Sequence, residues 1–173
     1  IMACKLLNPV SVDGIDISPQ MLEAARKKIE KEGFVGKIRL QVGDSETINF
    51  AENTFDAGMV AFGVRNFENL EQGLREILRV LKPGGKLVIL EFSKPRQPIR
   101  GLYNLYMGVI APQLARWFRQ NKDAYQYLCK SANTFPDRQK LVDILNKIGY
   151  RETCYKSLSL GICCIYSGRK SVH

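Results

Sequence analysis

Histidine is almost missing from this chain: the only one is His173, the last residue. A general base built on imidazole is therefore not expected, because terminal side chains are seldom held in place. Cysteine is unpatterned. Cys4, Cys129, Cys154, Cys163 and Cys164 make an odd count with no C-x-x-C, which excludes a disulfide framework and the common zinc modules. They read as reduced, buried thiols of a cytosolic protein, with Cys163 and Cys164 as filler in an apolar strand. No apolar stretch approaches the ~18–20 residues that cross a bilayer, and no secretory leader is visible. No paired carboxylates or Ser/His/Asp set points to hydrolysis. A Gly-rich phosphate turn is also lacking. Gly14 lies inside a strand pattern, and Pro83-Gly84-Gly85 is a helix stop with the wrong spacing.

What is present is ordinary globular composition, 25% charged and 45% hydrophobic over 173 residues. That excludes a disordered tail and fits one domain. The charge is less ordinary: 26 Lys and Arg against 17 Asp and Glu leave +9, so anionic partners come into view. The opening Ile1-Met2-Ala3-Cys4-Lys5-Leu6-Leu7 reads as the back half of a helix. A preceding segment is expected, carrying a first strand and a Gly-rich loop.

Two periodicities alternate along the chain. Residues 10–17 read as a strand. Ser18 caps the next helix, with Pro19 at its first position. Met21, Leu22, Ala25 and Ile29 line its apolar face, Glu23 and Lys27 pair on the other, and Gly33 stops it. Residues 38–42 and 55–61 read as strands. Leu70, Leu74, Ile77, Leu78 and Leu81 mark a second helix, broken at Pro83-Gly84-Gly85. Residues 86–92 form a nearly continuous apolar strand of the kind buried on both faces. A Pro-punctuated linker covers 94–98, helical aromatic sequence 101–135, and an amphipathic helix 137–148, closed by Gly149. Strands at about 151–159 and 162–168 finish the chain. The alternation predicts an α/β, Rossmann-like domain over 1–173. Its sheet is mostly parallel, with helices on both faces and an antiparallel C-terminal hairpin.

In such sheets ligands bind beyond the carboxyl ends of the strands. Asp16 ends the first strand, where a carboxylate can accept from both hydroxyls of a ribose, or simply cap the following helix. Asp44 and Ser45 follow the second strand, where Asp44 can accept from an adenine amino group or merely form a turn. Ala61-Phe-Gly-Val-Arg-Asn66 follows the third and sets an aromatic, a glycine and a cation at the sheet's mouth; Arg65 is alternatively a surface cation beside a helix cap. Residues 94–140 hold nine basic side chains against Asp123 and Asp137, interleaved with aromatics such as Trp117 and Phe118. That reads as a lid near an anionic membrane surface, or as a solvated basic helix packing its aromatics inward. No nucleic-acid partner is expected, since no recognition module accompanies the segment.

These residues carry a resemblance. Arg79-Val-Leu-Lys-Pro-Gly-Gly-Lys-Leu-Val-Ile-Leu-Glu-Phe-Ser93 looks like the characteristic block of UbiE-type quinone-biosynthesis C-methyltransferases. Phe55-Asp56 with the block ending at Asn66, Leu102-Tyr103-x-x-Tyr106, Asp123-x-Tyr125-x-Tyr127-Leu128, Phe135-Pro136, Gly161-Ile162 and Gly168-Arg-Lys170 match in register. Cys129-Lys-Ser-Ala132 departs from the family's acidic-Ser-Ile pattern. The resemblance implies a class I enzyme that uses S-adenosylmethionine to methylate a ring carbon of a polyprenylated quinol, demethylmenaquinol being the preferred acceptor. It also implies that Asp16 takes the ribose, Asp44 and Ser45 the adenine, and Ala61 the cofactor through its backbone. Arg65 then faces the acceptor ring, and Tyr103, Tyr106 or Asp123 orients it or takes its proton. No metal is expected. The implied place is the cytoplasm, peripherally at the inner face of the cell membrane, with residues 94–136 as the substrate-side lid. A homo-oligomer is compatible with the sequence. The rivals are a class I methyltransferase for a soluble molecule and a non-catalytic module on the same fold.

Overall fold

Two parallel strand pairs, each followed by or joined through a helix, carry the architecture of this computed structural model, which describes residues 1–95, 101, 127, 131–132 and 134–172. The chain divides into two units, Ile1–Phe50 and Ala51–His173.

In the first unit, α1 (Met2–Leu7) precedes β1 (Val12–Asp16), α2 (Pro19–Lys31) and β2 (Ile38–Val42). The cap forms as the sequence requires: Ser18 Oγ accepts from Met21 N–H at 3.4 Å, with Pro19 at the first helical position. The Glu23–Lys27 pair is present at 3.1 Å. Leu22 and Ile29 are buried, whereas Met21, expected on the same face, is 62% exposed. It lies on the first turn, a full two turns from Ile29, and has rotated off the narrow buried stripe. β1 and β2 pair in parallel with Gly14 opposite Leu40. A Cβ at Gly14 would lie 2.7 Å from Leu40 Cδ2, so a glycine inside this strand is a packing requirement.

In the second unit, β3 (Phe55–Ala61), α3 (Leu70–Val80), β4 (Leu81–Phe92), α4 (Gln139–Ile148), β5 (Arg151–Leu158) and β6 (Cys163–Arg169) build a four-stranded sheet in the order β3-β4-β6-β5. β3 and β4 are parallel, and β6 runs antiparallel between β4 and β5. This is the expected α/β class with its C-terminal hairpin. Leu74, Leu87, Ile89, Leu141, Leu145, Tyr150 and Tyr166 are fully buried in its core. Tyr150 Oη reaches the Leu74 carbonyl at 2.9 Å, and burial pushes its hydroxyl pKa well above the ordinary value.

Two boundaries differ from expectation. Leu81 is not the last helical apolar residue but the first of β4, fully buried and paired with Phe55. The pairing then jumps to Ala57 opposite Lys86, so Pro83-Gly84-Gly85 bulges out of the ladder instead of preceding it. Gly84 takes φ +77°, and a Cβ at Gly85 would sit 2.7 Å from the Lys82 carbonyl. Likewise α4 begins at Gln139, not 137, because Asp137 is held by contacts outside the helix.

The C-terminal end of α3 is closed by a distant residue. Lys170 Nζ donates to Arg79 O at 3.0 Å, Leu81 O at 2.8 Å and Asn53 Oδ1 at 2.9 Å. An ammonium has three donors, and here all three meet acceptors beside the negative end of a helix. Lys170→Met is expected to lower the unfolding free energy by about 2 kcal/mol, since hydrogen bonds to a charged donor contribute ~1.5–3 kcal/mol; urea titration measures it.

Candidate active site

The carboxyl end of the first unit's sheet gathers three of the residues singled out from the sequence. Asp16 is the last residue of β1 and stands opposite Val42, the last residue of β2. Gly43 N–H donates back to the Asp16 carbonyl at 3.1 Å, which fixes the start of the loop carrying Asp44 and Ser45. Both carboxylates thus leave the same end of adjacent strands, whose spacing is ~4.8 Å. Asp16 Oδ1 accepts from Ser18 N–H at 2.8 Å, and Asp44 Oδ1 accepts from Glu46 N–H at 2.8 Å. Each Asp therefore does shape its own turn, as the plainer reading of the sequence holds. Each turn uses Oδ1.

The carboxyl end of the second unit's sheet holds Ala61 and Arg65. Ala61 closes β3, an edge strand, opposite Leu90. Phe62 N–H donates to Leu90 O at 2.8 Å; since successive backbone groups alternate sides, those of Ala61 face away from β4. Phe62 sits at φ +55°, a costly conformation for an aromatic residue, and its ring packs 4.7 Å from that of Phe92. The chain then enters a short 3-10 turn, Val64–Asn66.

Arg65 is no surface cation. Its side chain is 11% exposed, and Nη1 donates to Glu91 Oε1 at 2.8 Å and to the Phe62 carbonyl at 2.5 Å. Its Cζ lies 5.3 Å from the centre of the Phe92 ring. Glu91 is completely buried, and it also accepts from Arg65 N–H at 3.3 Å and Phe92 N–H at 2.9 Å. Sequence reasoning missed Glu91. The signal was there: Leu87, Ile89 and Glu91 alternate on one inward face of the apolar run, and a carboxylate at such a position needs a partner.

A second missed cluster lies just past β4. Ser93 Oγ donates to Asp137 Oδ2 at 2.6 Å and Lys94 N–H to the same oxygen at 3.0 Å. Arg138, at φ +55°, gives its N–H to Tyr166 Oη at 2.7 Å and its guanidinium to the carbonyls of Lys94 and Gly161. The two ends of the long intervening stretch, 93–94 and 137–138, are thus joined. Burial opposes ionisation of Asp137, but the Ser93 hydroxyl, the Lys94 N–H and the charges of Arg138 and Lys94 outweigh it and hold the carboxyl below its ordinary value. The unfolded chain therefore takes up the proton at higher pH than the folded one. This contribution to stability is complete above ~pH 5 and fades as pH falls through the ordinary aspartate value of ~3.9 and below. Urea unfolding of Asp137→Asn should trail wild type most at neutral pH and converge on it in acid.

Tyr103, Tyr106 and Asp123, and nearly all of the expected lid at 94–136, lie outside the described residues. Tyr127 is described, and its hydroxyl donates to Asn66 Oδ1 at 3.2 Å, beside Arg65. Of the cysteines, Cys4 and Cys164 are buried as expected, Cys163 is half-buried and Cys154 is exposed. Cys154 sits on the edge strand β5, with its sulfur 3.3 Å from Ser167 Oγ. Cys129 is outside the described residues. Burial, with Cys164 and Glu91 nearby, pushes the Cys163 thiol up. Among the described residues no helix is long and apolar enough to cross a membrane, and no group of His, Cys, Asp or Glu is placed to hold a metal ion.

Comparison with known proteins extends this geometry. Residues 2–170 match the model of the ubiE/COQ5 methyltransferase family. A demethylmenaquinone methyltransferase of Bacteroides fragilis is 39% identical over 171 residues, covering 98% of this chain and 70% of that protein. A ubiquinone/menaquinone biosynthesis C-methyltransferase UbiE of Geotalea daltonii is 38% identical over 170 residues, covering 98% and 72%. Among solved structures, a SAM-dependent methyltransferase from Aquifex aeolicus shares the fold with a TM-score of 0.62 at 18% identity, covering 92% of this chain and 68% of that one. With the match spanning both units and reaching from the first helix to the last strand, this chain belongs to the ubiE/COQ5 methyltransferase family and is a methyltransferase.

Proposed function

We propose that this chain methylates a ring carbon of a polyprenylated quinol, with demethylmenaquinol as the acceptor. The observation that carries the reading is the 39% identity, over 98% of the chain, to the Bacteroides fragilis protein named demethylmenaquinone methyltransferase.

The residues present suit the cofactor. An ionised carboxylate only accepts hydrogen bonds, and ribose hydroxyls and an adenine amino group both donate. Asp16 and Asp44 each commit Oδ1 to a local turn, which leaves Oδ2 for such donors, and Ser45 adds a hydroxyl on the same loop. Ala61 contributes backbone groups on the side of β3 that faces away from β4. Bound S-adenosylmethionine supplies a methyl group already made electrophilic by its sulfonium.

The protein's own task is to align the acceptor carbon and to manage one proton. A quinol carbon becomes nucleophilic as the adjacent hydroxyl ionises. Arg65 stabilises the developing phenolate by a hydrogen bond from its guanidinium. Tyr103, Tyr106 or Asp123 orients the ring or receives the proton. Residues 94–136 form the substrate-side lid of a single domain. Their cations and aromatics seat that lid on an anionic membrane, so that the prenyl tail stays in lipid while the ring enters the site. The place of action is then the cytoplasmic face of the membrane.

The test is transfer of a labelled methyl group from S-adenosylmethionine to demethylmenaquinol, run beside the demethylated ubiquinol precursor. Labelled menaquinol is expected. Transfer to neither quinol, by protein that binds S-adenosylhomocysteine, overturns the reading.

A further inference from the structure

We propose that Glu91 is a positioning residue for methyl transfer: its buried carboxylate holds Arg65 by backbone and guanidinium together, and so fixes the orientation from which the guanidinium serves the acceptor oxygen. This rests on the reading of Arg65 given above.

The position of Glu91 demands a reason. It follows Leu87 and Ile89 on the same fully buried face of β4, where a third apolar residue would pack without any desolvation cost. Buried ion pairs are often no more stabilising than apolar replacements, so stability alone does not account for a carboxylate here. Its contacts do. Oε1 accepts from Arg65 Nη1 and Phe92 N–H, while Oε2 accepts from Arg65 N–H. One carboxylate thereby sets both the backbone of the 3-10 turn and the far end of the side chain that leaves it.

The remaining constraints act on the same guanidinium. The Phe62 carbonyl, offered by a residue held at φ +55°, shares Nη1, and the Phe92 ring lies beside Cζ. Among the described residues Arg65 Nε, like Arg138 Nε, is buried without a hydrogen-bond partner. Glu91 itself touches neither the ring nor the methyl donor; it acts through Arg65.

Glu91→Asp separates charge from reach, because it keeps the negative charge but withdraws it by one methylene. Three readouts on the full-length protein decide the matter. They are kcat and KM for labelled transfer to a short-chain demethylmenaquinol, S-adenosylhomocysteine affinity by calorimetry, and hydrogen exchange of the Arg65 Nε–H by NMR. A fall in kcat of about tenfold to hundredfold is expected, the scale of a ~1 Å misplacement, together with faster Nε–H exchange and unchanged cofactor affinity. Wild-type kcat in folded Glu91→Asp means that Glu91 only balances charge, and overturns the proposal. If that variant fails to fold, Glu91→Gln is read instead: it keeps the reach but leaves a single acceptor oxygen for the Arg65 N–H and guanidinium that two oxygens now hold, so wild-type kcat there overturns the proposal as well. Arg65→Gln with wild-type kcat overturns the underlying reading of Arg65. An inactive Arg65→Gln beside a fully active Glu91→Asp overturns the role of Glu91 alone.

Discussion

Replacing Arg65 by methionine should lower the unfolding free energy by about 3–5 kcal/mol, the cost of leaving a buried charge without its partner. Glu91→Gln should cost a similar amount, because it strands the guanidinium instead. The two changes together should cost only about 1–3 kcal/mol, the price of an imperfectly paired buried amide. In the double variant no charge remains to be compensated, and the glutamine carbonyl still accepts from one of the two backbone N–H groups, of Arg65 and of Phe92, that the two Glu91 oxygens now serve. The cycle is therefore strongly non-additive, by several kcal/mol, as expected for two groups 2.8 Å apart with 11% and 0% exposure. Against a total stability of ~5–15 kcal/mol, either single change is severe and the pair is mild. Urea unfolding of the three variants measures it. Additive losses would show that Glu91 is satisfied without Arg65.

The same pair shows why part of the site was legible from sequence and part was not. Local signals were read well: a Ser-Pro start and a Gly stop bracket α2, and residues 38–42 and 55–61 form β2 and β3 as read. Each depends on neighbours within a few positions. Arg65 and Glu91 are 26 residues apart, and Lys170 reaches carbonyls 89 and 91 residues away. No periodicity links such partners, so Arg65 read as a candidate cation with nothing to hold it. Asp137 read as a helix residue because its spacing fits α4, but two donors from Ser93 and Lys94 draw its carboxylate out of that helix. Pro83-Gly84-Gly85 was rightly seen as a break but wrongly placed before the strand. The buried Leu81 had already paired with Phe55, and this pairing decided the boundary over the turn's own preference.

Asp16→Asn should weaken S-adenosylhomocysteine binding by about tenfold to hundredfold while leaving the melting temperature close to wild type. The substitution divides the residue's two duties. The asparagine carbonyl can still take the Ser18 N–H that Oδ1 takes now, at 2.8 Å, so the turn into α2 keeps its hydrogen bond. The other oxygen becomes an amide N–H, which donates and cannot accept from a ribose hydroxyl. A hydrogen bond to an ionised group is worth ~1.5–3 kcal/mol, and ~1.4 kcal/mol is a factor of ten in affinity. Asp44→Asn should behave alike at its own turn, where Glu46 N–H meets Oδ1, but with a smaller loss, because Asp44 is exposed and water competes for its free oxygen. Calorimetry with S-adenosylhomocysteine and a melting curve on each variant read the two duties separately. If both substitutions leave affinity untouched, these carboxylates only shape the chain after β1 and β2, and the cofactor is gripped elsewhere.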